Sequence, residues 1–131
     1  MSTLKVTNIQ ATGETASRAV SGVAGAWINY ETTSPTSIED SVNVSSVTDN
    51  TMGSTAINFS NDFSDYRYCV ATYIRKDNDT NNGVETLSAL DSTAKTASAM
   101  TLLSRWVNAG NGTNGYFDSD ECGAQFLGDL A

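Results

Sequence analysis

A chain of 131 residues suits one domain, and at this size folding buries roughly two-thirds of the surface that the unfolded chain exposes. The formal net charge of −8 works against phosphate backbones and anionic bilayers, so neither nucleic acid nor membrane is an expected partner. Histidine is absent, which excludes Ser-His-Asp and Cys-His mechanisms and leaves carboxylate chemistry conceivable.

The hydrophobic fraction is 39%, while Ser, Thr and Asn number 16, 17 and 12 and Lys plus Arg only 7. Thr favours strands, Ser and Asn favour turns, and long-chain helix formers are scarce. The expectation is an all-β chain of short strands joined by turns.

Residues 4–9 alternate, with Leu4, Val6 and Asn8 facing one way and Lys5, Thr7 and Ile9 the other. Residues 11–21 are small, polar and weakly patterned, with Gly13 as a breaker. Residues 1–21 therefore read as an N-terminal arm. Its β character calls for something to pair with, and Leu4, Val6 and Ile9 are its candidate assembly contacts. Residues 1–10 hold no basic stretch followed by an apolar run, so no leader is expected. No segment reaches the roughly 18 apolar residues needed to cross a bilayer.

Residues 26–30 alternate and end at a polar turn, 32–36, that holds the single proline, Pro35. Residues 37–44 put Ile38, Val42 and Val44 on one face of a strand. Val47 and Thr48 lead into a turn at Asp49, Asn50 and Gly53, after which 56–59 brings Ile57 and Phe59 together. The strongest strand is 66–75, with Tyr66, Tyr68, Val70 and Ile74 opposite Cys69, Ala71 and Tyr73. A hydrophilic loop, 77–83, separates it from strands at 84–90 and 97–107. A short helix over part of 90–107 is the competing reading, supported by Ala94, Ala97, Leu102 and Leu103. A Gly/Asn loop at 108–115 precedes a closing strand, 122–130, with Cys122, Ala124 and Phe126 in phase. Short strands at this spacing predict an antiparallel β-sandwich, jelly-roll-like, over residues 22–131.

Cys69 and Cys122 sit in apolar, strand-like contexts, either as two buried thiols or as one bridge between core strands. The alternation of Asp and Asn at 77–83 invites a calcium reading, but an EF-hand needs Gly sixth and Glu twelfth, where Asn82 and Ser88 stand. No metal or cofactor is expected. Glu39, Asp40 and Asp49 are the carboxylates that glycoside cleavage would need, and alternation sends Glu39 and Asp40 to opposite faces. Trp27, Tyr30, Trp106 and Tyr116 are either core residues or flat platforms for a sugar ring.

The run Ala26-Trp27-Ile28-Asn29, then Asn43-Val44-Ser45-Ser46-Val47-Thr48-Asp49-Asn50, then Ile57-Asn58-Phe59 resembles a family of small tailed-phage virion proteins common in marine phages and labelled tail fibre or structural protein. Residues 2–10 look like the segment that often precedes that domain. The likeness covers about the first half of the chain. It departs at Gly25, where relatives carry Lys, and at Thr33-Ser34-Pro35-Thr36, where they have a Gly-rich turn. The resemblance implies a non-enzymatic, trimeric antiparallel β domain on the virion, assembled in the host cytoplasm. Its expected partners are copies of itself and major capsid or tail proteins. The expected roles are capsid decoration or tail-fibre component, with a receptor- or carbohydrate-binding module for host surface glycans as the alternative.

Overall fold

The structure, a computed structural model of the chain, describes residues 8–9, 18–19, 24–33, 36–75, 84–89, 95–108, 110 and 112–131. Among these there is no helix. Eleven strands run in chain order: β1 (Asn8–Ile9), β2 (Arg18–Ala19), β3 (Ala24–Glu31), β4 (Ser37–Val42), β5 (Val44–Thr51), β6 (Ser54–Phe59), β7 (Cys69–Arg75), β8 (Val84–Ala89), β9 (Ala99–Asn108), β10 (Thr113–Tyr116) and β11 (Glu121–Leu127). Every pairing between them is antiparallel.

Two sheets face each other as a sandwich, as the sequence pattern predicts. The first, sheet A, has the order β4-β3-β11-β7; the second, sheet B, joins β5, β6, β9, β8 and β10. Strand β9 has three partners. β6 takes its residues 99–103, β10 takes 105–108, and β8 takes 102–107. Since β8 overlaps both of the others, β6 and β10 share one edge of β9 end to end and β8 lies along the opposite edge. The hairpins β3–β4, β5–β6, β8–β9 and β9–β10 each stay within one sheet.

Alternation places the core. Ala26, Ile28 and Tyr30 of β3 and Cys122, Ala124 and Phe126 of β11 point inward from sheet A. Ile57 and Phe59 of β6 and Met100 and Leu102 of β9 meet them from sheet B. Phe63 and Tyr68, from the segment that crosses between sheets, close one end. There Phe59 stands edge-on to Phe63 (4.9 Å) and to Phe126 (5.0 Å), the geometry that aromatic quadrupoles favour.

Asn43 turns the chain from sheet A to sheet B. It adopts φ 57°, a left-handed conformation that Asn tolerates better than other non-glycine residues. Its Nδ2 donates to Gly25 O (3.0 Å) and Asn61 O (3.1 Å), and its Oδ1 accepts from Asn61 N (2.8 Å). This corner corrects the sequence reading of one strand over 37–44. Val42 ends β4 at 49% exposure and Ile38 is 39% exposed, whereas Val44 begins β5 and packs on the core.

Other boundaries move as well. Asp49 and Asn50 continue β5, so that the turn falls at Met52 and Gly53. Tyr66 stands outside β7 and is 54% exposed, because the chain enters the sheet only at Cys69. Residues 113–115 of the expected Gly/Asn loop join Tyr116 in β10, and residues 99–107 are strand. Both cysteines are free, Cys122 buried and Cys69 exposed. Their register partners, Ile74 and Leu127 respectively, set them at opposite ends of the β7–β11 ladder.

In the arm, Asn8 pairs with Ala19 and Ile9 with Arg18. Ile9 therefore joins a short ladder inside the arm. Leu4, Val6, Pro35 and the loop 77–83 lie outside the described residues.

A candidate binding face on the outside of sheet A

The inner face of sheet A is core, so residues of opposite phase look outward. Strand register sets them in rows. Val42, Trp27, Gln125 and Ala71 form one row across β4, β3, β11 and β7, and Asp40, Asn29, Gly123 and Tyr73 form the next. Trp27, Asn29, Gln125, Gly123, Ala71 and Tyr73 line an open depression of about 390 Å³, within the ~300–1,000 Å³ common to small-molecule sites.

Gly123 shapes it. A Cβ at this position would sit 1.9 Å from Tyr73 Cε1, so the absence of a side chain lets the Tyr73 ring lie flat across β11 toward β3. The Tyr73 hydroxyl then reaches Asn29 Oδ1 at 2.9 Å and also the Glu121 carboxylate. One phenol proton serves both acceptors. Burial, reinforced by the bond to Glu121, pushes this hydroxyl up to about 12. Glu121 Oε2 in turn pairs with Arg75 Nε at 3.1 Å. Asn29 and the exposed Gln125 set two side-chain amides in the depression.

The face can therefore do two things. Two flat aromatic bodies offer apolar contact with a polar tip, and amide groups offer both donors and acceptors beside them. Uncharged, hydroxyl-bearing rings fit this chemistry.

The four sequence-derived platform residues do not meet. Trp27 lies in the depression. Tyr30 is fully buried opposite Cys122 in the core, and burial, helped by the neighbouring thiol, raises its hydroxyl above the ordinary tyrosine range. Trp106 and Tyr116 belong to sheet B. Trp106 lies against Gly115, and Tyr116 packs under Arg105, whose guanidinium stands 5.4 Å from the ring centre. Of the candidate carboxylates, Asp40 is on β4 of sheet A and Asp49 on β5 of sheet B. Tyr73, Gln125 and Gly123 escaped the sequence reading of the site. Only the outward phase of Tyr73 in its strand pointed to it. Among the described residues no group of three metal-ligating side chains converges. Comparison with known protein families, characterised proteins and solved structures yields no match.

Proposed function

We propose that the protein is a non-enzymatic attachment domain of a phage particle that binds a saccharide of the host surface through the outer face of sheet A. The observation that carries the reading is the depression lined by Trp27, Tyr73, Asn29, Gln125 and Ala71, with the Tyr73 ring laid over Gly123. The particle context rests on the resemblance of residues 2–59 to small virion proteins. In that context the domain works as a symmetric trimer, as a capsid decoration or tail-fibre component, with residues 1–21 contributing to assembly. Self-complementary copies multiply weak contacts, so a shallow site of modest affinity suffices for attachment.

A saccharide array probed with the wild-type chain and with Trp27→Ala tests the reading. Wild type is expected to capture a subset of glycans, and Trp27→Ala to lose about 30-fold in affinity for them while keeping its β-sheet circular dichroism. Absence of any captured glycan, or capture undiminished in Trp27→Ala, refutes it.

A further inference from the structure

We infer that the face selects uncharged saccharides and turns away acidic ones of the same shape, an inference that rests on the reading above. The argument is electrostatic. An acidic sugar held in a protein site is met by Arg or Lys, whose charged donors match carboxylate and phosphate oxygens. On this face the flanking charges have the opposite sign. Asp40 stands beside Asn29 in the same row, and Glu121 stands at the end of the Tyr73 hydroxyl. Arg75, the cation adjacent in register, already pairs with Glu121.

The other cations described on the body are engaged elsewhere. Arg67 pairs with Asp65, Lys95 reaches the carbonyl of Tyr68, and Arg105 bonds Asn114. With a formal charge of −8 over the whole chain, the surrounding potential reinforces the local one. Among the described residues of this face, the groups left to read a ligand are amides and aromatic rings. They recognise hydroxyls and ring faces and gain nothing from a carboxylate.

Tyr73 is the specificity-determining residue in this arrangement. Its ring forms one wall, while its hydroxyl couples the Glu121 carboxylate to the Asn29 amide. The ligand's hydroxyls thus meet side-chain amides beside an aromatic wall.

The test uses the full chain and pairs of oligosaccharides of equal length and linkage, one neutral and one oxidised to the uronate, titrated calorimetrically at low and at high salt. At least one neutral oligomer is expected to bind, with its uronate counterpart at least tenfold weaker in low salt and the gap narrowing as salt rises. The double variant Asp40→Asn, Glu121→Gln keeps the side-chain shapes and removes the two carboxylate charges. It is expected to narrow the gap roughly fivefold. A uronate that binds as well as its neutral partner overturns the selectivity and leaves the saccharide reading standing. Failure of both classes to bind removes selectivity and reading together. If Trp27→Ala changes the sedimentation coefficient and not sugar affinity, the face is a contact between copies and the inference is wrong.

Discussion

The two ends of the core are built from different chemistry. At one end Phe59, Phe63, Tyr68 and Phe126 form a ring cluster with centroid separations of 4.4 to 5.9 Å. At the other end, beside Phe117, most buried side chains carry a polar atom: Tyr30, Thr32, Ser104, Ser119 and Cys122. There Thr32 N donates to Ser119 O (3.0 Å), and Ser119 Oγ donates to Arg75 O (2.6 Å). The aromatic end gains its stability from apolar area and ring contacts, which tolerate small displacements. At the polar end Thr32 and Ser119 pair their hydroxyls with backbone groups, because an unpaired buried group costs as much as a lost hydrogen bond. What that end achieves is position. The bond from Ser119 to the Arg75 carbonyl ties the end of β7 to the start of β11, where Glu121 meets Arg75 and Tyr73 at the rim of the binding face. Stability is thus concentrated at one end, and the geometry of the site is fastened at the other.

Substitutions at each end sharpen or break this contrast. The largest loss is expected from Phe126→Ala, about 3–5 kcal/mol by denaturant unfolding. Phe126 is fully buried and shares rings with both Phe59 and Tyr68. A loss below about 1.5 kcal/mol would mean that the aromatic end does not dominate stability.

Next comes Gly53→Ala, near the polar end. Gly53 has φ 69°, and a Cβ there would meet Ser104 O at 2.7 Å and Phe117 N at 2.9 Å. Left-handed strain and the backbone clash together predict about 2–4 kcal/mol. Gly112 has the same φ with nothing within 4 Å, so Gly112→Ala should cost only the strain, about 1–2 kcal/mol. Equal losses at the two glycines would contradict the role given to close packing at Gly53.

The smallest effect is expected from Tyr30→Phe. The Tyr30 hydroxyl is buried with only the weakly bonding Cys122 thiol beside it, so its removal should leave stability unchanged or raise it by up to about 1 kcal/mol. The pH dependence is diagnostic. The folded state holds Tyr30 protonated well above its ordinary 10.0, and Cys122 above its ordinary 9.0, both chiefly through burial. The unfolded chain ionises these groups near their ordinary values, so stability is full below pH 9 and falls as pH rises beyond it. Tyr30→Phe should flatten the part of that fall above pH 10, measured as denaturation midpoints across the alkaline range. An unchanged alkaline slope would show that Tyr30 is not the group responsible.

Much of the sandwich is legible in the residues. Cys122, Ala124 and Phe126 share a phase and are all buried, as are Ile57 and Phe59. Binary alternation decides which face of a strand can be core, and that information is local. It fails at the corner of Asn43, where Val42 and Val44 keep their spacing but belong to different sheets, because a sheet-to-sheet turn changes direction without interrupting the pattern. It also fails at β10, whose residues Asn114 and Gly115 carry turn propensities. Pairing with Arg105–Asn108 of β9 overrides them.

Of the binding face, Trp27 and its in-phase neighbour Asn29 could be singled out from one short segment. Their partners could not. Gly123 and Tyr73 come within reach of Asn29 only because β11 inserts between β3 and β7 in one register. Nothing near residue 73 or residue 123 in the chain encodes that register. The sequence alone determined strand character, the inward or outward phase of most side chains, the acidity of the surface and the absence of histidine chemistry. These follow from composition and from a period of two. Only the tertiary structure decided which outward residues stand side by side, since adjacency across a sheet is a property of strand order and register, which long-range packing selects.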